Sequence, residues 1–179
     1  APGQIAVVKD RLTVEFVCVS SGRTLGFYPL PGVPYTEVDM VEPFAPFLFL
    51  KLHNQDCHVI DISDGRRFLV PDSAECNAGS FMFLYDQMRF LKFDRNGTVA
   101  VWELTKRGVM HSHNLQHRTI MPSMSSMDRD GLFVGFVSTD NEAVVTSVRT
   151  GQAVCAVPFE GVACAVRLAS GNMYIGTRG

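Results

Sequence analysis

Glycines recur along this chain at a fixed interval. Gly22, Gly65, Gly108 and Gly151 lie 43 residues apart, three times in succession. Each of them closes a short phrase of strand-forming residues, and the phrases read FVCVSSG, VIDISDG, VWELTKRG and VTSVRTG. A period of this length is typical of architectures in which one small unit stacks against the next. The spacing therefore constrains the fold more than any other feature of the sequence.

Each repeat predicts four short strands. One apolar run precedes the glycine and another follows it, and three of the later runs stop at Pro29, Pro71 and Pro158. Proline has no N–H to donate to a ladder, so it suits the end of an outer strand. Two further apolar stretches complete each unit, and turns such as Asn96-Gly97 follow the second of them. Because no segment shows sustained helical periodicity, we expect an all-β fold of four antiparallel strands per repeat.

One phrase resembles a known repeat family. Val101-Trp102-Glu103-Leu104 is similar to the end of the third strand in a WD-repeat blade. The other repeats hold Val17-Cys18, Ile60-Asp61 and Thr146-Ser147 at that place, and no Gly-His pair stands at the usual upstream position. Nearly the whole chain thus resembles a diverged WD-repeat-like β-propeller. Such a fold buries both faces of each small sheet by stacking the sheets radially.

The resemblance implies that residues 1–179 form a single β-propeller or part of one. The expected blades are 4–31 (partial), 36–73, 79–116, 121–159 and 161–179 (partial). Both partial blades contain a second strand, so they do not combine into one clean blade, and we expect part of a larger propeller. A closed ring of about four blades and pairing of open ends between copies of the chain are the alternatives.

Composition and charge narrow the classes of function. The net charge is −2 with a pI near 6.2, and the absence of a basic stripe argues against a nucleic-acid binder. No apolar run reaches the roughly 18 residues that a membrane span needs, so none is expected. The five cysteines are an odd number without close pairing. This pattern predicts a reducing compartment, either cytoplasm or nucleus.

A histidine group is the most unusual local feature. His111 and His113 are two residues apart on a predicted strand, with His117 four residues later. Alternate strand residues share a face, so the three histidines are a candidate metal site. Histidines that are hydrogen-bonded on a solvated outer strand, or a pH-sensitive contact, would give the same pattern. No cofactor is predicted.

Charged residues recur at the predicted turns between second and third strands. In propellers these turns line one face of the disc together with the loops between blades, and loops carry binding more often than strands do. Solvated turns without a binding role would show the same composition. The predicted partner-binding residues are Asp10, Arg11, Asp56, Asp94, Arg95, Asp140 and Arg178.

The chain shows no Gly-rich phosphate loop, nucleophile elbow, HExxH motif or paired carboxylates. This absence counts against an enzyme. The predicted function is a non-catalytic protein–protein interaction scaffold within a larger complex. The first alternative is a propeller enzyme, or a small-ligand or metal binder, that uses the His111/His113 strand or the central channel. The second is a nucleic-acid-binding propeller, which the acidic pI disfavours.

Overall fold

Regular structure in the described part of the chain is β-strand, apart from short 3-10 segments such as Ala78–Ser80. The computed structural model describes residues 4–9, 13–29, 38–44, 47–52, 55–76, 78–84, 88–105, 107–119 and 124–178. The chain divides into two units, Ala1–Ala78 with Arg107–Val109 and Gly79–Lys106 with Met110–Gly179. Within the described residues, no helix has the length and apolar character that a membrane crossing requires.

The first unit contains two antiparallel sheets. One has three strands, β1 (Gln4–Lys9), β2 (Thr13–Cys18) and β3 (Thr24–Pro29). The other has four strands in sequential order, β4 (Val38–Phe44), β5 (Phe47–Leu52), β6 (Cys57–Asp61) and β7 (Arg67–Val70). Neighbouring strands in each sheet are also neighbours in sequence.

The second unit contains three further antiparallel sheets. The first comprises β8 (Phe81–Phe83), β9 (Arg89–Phe93), β10 (Val99–Thr105) and β11 (Gly108–Asn114). The first two residues of β11, Gly108 and Val109, are assigned to the first unit. The next comprises β12 (Ser125–Met127), β13 (Phe133–Val137), β14 (Glu142–Ser147) and β15 (Ala153–Pro158). The last is the hairpin of β16 (Val162–Ala169) and β17 (Asn172–Arg178).

Three of the four repeated glycines form equivalent turns. Gly22, Gly65 and Gly151 each have a φ between +66° and +74°. Each backbone N–H donates a 2.8 Å hydrogen bond to the carbonyl four residues earlier. Glycine adopts a positive φ without the steric cost of a Cβ, which explains its recurrence here. Gly108, whose phrase is one residue longer, has a φ of +138°.

The second strand of each four-stranded sheet is buried on both faces. Residues 47–50 of β5, 90–93 of β9 and 134–137 of β13 are all buried. In the second unit, the facing surfaces of the β8–β11 and β12–β15 sheets share one core. Its members are Leu84, Leu91, Phe93, Val99, Val101, Leu115, Val134, Phe136, Val144 and Val148.

The β16–β17 hairpin packs on the other face of the β12–β15 sheet. Gly135 permits a close approach, since a Cβ there would lie 3.4 Å from Met173 Sδ and 3.6 Å from Leu168 Cβ. The Ser126 hydroxyl accepts a 2.9 Å hydrogen bond from the Leu168 N–H. Three sheets are therefore stacked within the second unit.

The expected all-β, antiparallel fold is confirmed, with sheets of two to four strands. The four-stranded sheets lie within residues 36–73, 79–116 and 121–159. Their arrangement as blades of one propeller stays a prediction.

Candidate functional site

Three segments of the second unit meet at one end of its sheets. They are the β9–β10 turn (residues 94–98), the stretch after β11 (115–119) and the β13–β14 turn (138–142), and we call them together the hairpin edge. The Thr119 N–H donates a 2.8 Å hydrogen bond to the Gly97 carbonyl. On the other side, Thr119 forms a β-bridge with Ser138, and the Thr139 N–H donates to the Arg118 carbonyl at 3.0 Å. The middle segment is thus fixed by backbone bonds to both turns.

Gly97 allows this close packing. It has a φ of +82°, and a Cβ at this position would lie 2.5 Å from the Thr119 carbonyl oxygen. Beside it, Asn96 Oδ1 accepts a 2.9 Å hydrogen bond from the Thr98 N–H. The Asn-Gly pair therefore forms the tight turn and also leaves space for the neighbouring segment.

Buried hydroxyl groups order the third segment. Ser138 is fully buried, and its Oγ accepts hydrogen bonds of 3.2 Å from the N–H groups of Asp140 and Glu142. Thr119 is also buried, and its hydroxyl donates to the Val137 carbonyl at 3.3 Å. Hydrogen bonds from buried side chains therefore support both sides of the contact between Thr119 and Ser138.

His117, Asp140 and Glu142 converge on this edge. Their ligand-type atoms lie within 4.8 Å of one another. His117 Nδ1 is 3.9 Å from Glu142 Oε2, and the two side chains are 21% and 30% exposed. Asp140 is exposed. One imidazole and two carboxylates therefore point at a common position that solvent reaches.

The structure does not bring the three predicted histidines together. The cluster that contains His117 includes neither His111 nor His113. His111 Nε2 lies 2.9 Å from Asn114 Oδ1, and its ring meets the Trp102 ring edge-on at 5.3 Å between centroids. His113 instead places Nε2 2.9 Å from the Val148 carbonyl oxygen and Nδ1 3.1 Å from Ser112 Oγ. The two rings are thus engaged with different neighbours.

Four of the predicted charged residues lie at or beside the hairpin edge. Asp94 is 3.1 Å from the ammonium of Lys92, whose side chain is only 3% exposed. Arg95 and Asp140 are exposed at the tips of their turns.

Arg178 is exposed at the end of β17 and pairs with Val162. The chain just before Val162 reaches the edge, since the Asn141 side-chain amide donates to the Phe159 carbonyl at 2.8 Å.

Asp56, in the first unit, has a structural contact. Its Oδ1 accepts hydrogen bonds from the Ser73 N–H at 2.8 Å and from the Ser73 hydroxyl at 3.2 Å. Nearby, the buried Lys51 ammonium donates to the carbonyls of Gln55 and Ala74, at 2.5 Å and 3.0 Å. These bonds join the two residues before β6 to the stretch after β7. Asp10 and Arg11 lie outside the described residues.

Sequence reasoning missed Glu142, Lys51 and Lys92. Glu142 stands two residues after the predicted Asp140, so its proximity to that residue was readable from the sequence. Its proximity to His117 follows only once the stretch after β11 is known to pack beside the β13–β14 turn. The two lysines lie inside apolar strands, where the sequence does not show which carbonyl and carboxylate groups their ammonium groups contact.

Three side chains of the first unit have shifted pKa values, in different directions. Burial raises the pKa of the Cys57 thiol to about 12. The Ser20 hydroxyl, 3.2 Å from Cys18 Sγ, is the main cause that lowers the pKa of the Cys18 thiol to about 7. Burial, followed by the nearby Arg67 charge, lowers the pKa of His58 below 6.5.

A separate cavity of about 310 Å³ lies at the opposite end of the sheets in the second unit. Phe133, Val145, Val154 and Leu168 form most of its wall, and Asp128 and Gly171 complete it. None of the predicted site residues lines this cavity.

Comparison with known proteins gives no family assignment. No protein-family model matches the chain, and no curated protein matches it.

Proposed function

We propose that this protein is a non-catalytic interaction scaffold of the β-propeller type, and that it binds a partner protein within a larger complex through the hairpin edge. The observation that carries the proposal is the set of exposed charges on the hairpin edge. Exposed side chains of both signs stand on three segments that backbone hydrogen bonds lock together. Loops positioned by a rigid framework are where proteins most often carry binding residues.

The charge pattern favours a protein partner. The edge carries both signs of charge, with Arg95 and Arg118 on the first two segments and Asp140 and Glu142 on the third. Nucleic acid would instead select a surface of uniformly positive potential. Complementary charges across an interface mainly set specificity and association rate, while like charges reject wrong partners. A mixed surface of this kind suits recognition of one defined protein surface.

Burial and topology support the propeller arrangement. Three successive four-stranded meanders each have a second strand that is covered on both faces. A single small sheet cannot bury both faces by itself, whereas sheets stacked in series can. An experimental structure in which the sheets do not surround a common axis would contradict the propeller proposal.

The binding proposal is tested by reversing charge at the edge. The triple variant Arg95→Glu, Arg118→Glu, Asp140→Lys changes the edge. The matched control Arg129→Glu, Arg149→Glu, Asp130→Lys makes the same charge changes on exposed turns at the opposite end of the sheets. Both variants are compared with the unmodified chain as bait in affinity purification from cell extract, after thermal unfolding shows that all three are folded.

The expected result is a stoichiometric partner protein that binds the unmodified chain and the control but not the edge variant. A partner that binds all three baits equally would place the interface elsewhere. The absence of any stoichiometric partner would argue against the scaffold function.

A further inference from the structure

We propose that His117, Asp140 and Glu142 form a zinc site, which is distinct from the histidine group suggested by sequence alone. The three ligand-type atoms lie within 4.8 Å of one another. Zinc binds protein nitrogen and oxygen ligands at about 2.0–2.2 Å, which sets the ligands of one ion roughly 3–3.5 Å apart. The observed 3.9 Å between His117 Nδ1 and Glu142 Oε2 is close to that separation. Small side-chain rotations bring the set onto one ion.

The framework around the cluster is already ordered. Ser138 Oγ accepts hydrogen bonds from the N–H groups of both carboxylate residues. The Thr119–Ser138 bridge fixes the segment that carries His117 against the same turn. Metal sites need ligands held in place by such supporting contacts. Because the backbone is fixed from both sides, only the side chains of the three ligands need to adjust.

The donor set selects the kind of metal. An imidazole nitrogen with two carboxylate oxygens suits a borderline ion such as zinc better than calcium or magnesium, which prefer oxygen ligands alone. Two carboxylates and a neutral imidazole also match the double positive charge. Three protein ligands leave at least one coordination position, which faces solvent because Asp140 is exposed.

Isothermal titration of the chelator-treated protein with zinc chloride tests the site. The expected result is one zinc ion per chain, with affinity at least tenfold lower in His117→Gln and in Glu142→Gln. The matched control His111→Gln changes an exposed histidine outside the cluster and retains the affinity of the unmodified chain. Asp140→Asn provides a third ligand variant, at an exposed position where loss of folding does not explain a loss of binding.

Substitution of cobalt for zinc distinguishes metal bound at this site from metal bound by cysteine thiolates. Cys155 and Cys164 are exposed and free. Cobalt bound to His117, Asp140 and Glu142 gives no sulfur-to-cobalt charge-transfer absorption, whereas a thiolate ligand does. The proposal is overturned by that absorption, by no measurable zinc binding, or by zinc affinity that all three ligand variants retain.

Discussion

The N–H of Thr119 donates a 2.8 Å hydrogen bond to the carbonyl of Gly97. This bond connects the stretch after β11 to the β9–β10 turn, and it explains why the turn needs glycine. A side chain on residue 97 would meet the Thr119 carbonyl oxygen at 2.5 Å. The geometry of the hairpin edge therefore depends on the absence of one Cβ.

Replacing Gly97 by alanine should destabilise the second unit strongly. The positive φ costs about 1–2 kcal/mol for a non-glycine residue, and the steric overlap adds about 1–3 kcal/mol. Gly171→Ala is the matched control, because Gly171 has a similar φ of +75° but a Cβ there would meet no described atom within 4 Å. Urea unfolding followed by Trp102 fluorescence measures both variants. Equal losses would show that backbone strain alone, and not the contact with Thr119, makes glycine necessary.

Asp56 should contribute to stability because of its contact with Ser73. In Asp56→Ala, the fully buried Ser73 N–H loses its acceptor, which costs about 1–3 kcal/mol. Asp56→Asn retains an Oδ1 acceptor and should lose less. The control Asp130→Ala alters an exposed turn and should change little. Chemical denaturation followed by circular dichroism gives the values, and an unchanged midpoint for Asp56→Ala would contradict a structural role for this residue.

Much of the fold was readable from the sequence because the signals are local. The apolar run Phe47–Leu52 forms one strand. Gly22, Gly65 and Gly151 lie in equivalent turns, where the positive φ favours glycine. Alternation, prolines and turn residues act within a few positions of one another, so one sequence suffices to detect them.

The candidate site was less predictable because it depends on contacts between repeats. His117 and Asp140 were each singled out, but as members of different sets. Their meeting depends on the backbone bridge between Thr119 and Ser138, which no local pattern encodes. The alternation of residues along a strand predicts His111 and His113 on the same face. Their rings nevertheless contact different neighbours. The ladder between β14 and β15 also shifts register, between Val145 and Thr146. Such a shift changes which face a side chain occupies, and counting residues does not detect it.

His58 should make stability depend on pH. Its pKa is below 6.5 in the folded chain, first because of burial and then because of Arg67. The unfolded chain therefore takes up a proton at a higher pH than the folded chain does. The contribution of His58 is complete above about pH 6.5 and is lost as the pH falls through the folded pKa.

Denaturation midpoints across about pH 5–8 test this dependence. His58→Gln should flatten the loss of stability toward acid. Arg67→Gln should reduce it in part, since it removes the second cause of the shift. If His58→Gln has the same acid dependence as the unmodified chain, another group is responsible.

Cys18 and Cys57 should differ in reactivity, because the thiolate is the reactive form. Cys18 is partly exposed with a pKa of about 7, whereas Cys57 is buried with a pKa of about 12. Iodoacetamide should therefore modify Cys18 at a rate that rises with pH to a midpoint near 7, and should leave Cys57 intact in the folded protein. Peptide mass spectrometry distinguishes the two residues.

The Ser20 hydroxyl is the largest cause of the lowered pKa at Cys18, so Ser20→Ala should move the midpoint of alkylation toward 9, the ordinary thiol value. Ser63→Ala is the matched control, because Ser63 occupies the same place in the next repeat and its hydroxyl donates to Asp61 instead. A midpoint near 9 in the unmodified chain would show that the turn does not stabilise the thiolate. Equal midpoints in Ser20→Ala and the unmodified chain would assign the shift to the Ser21 hydroxyl and the backbone N–H groups of the turn rather than to the Ser20 hydroxyl.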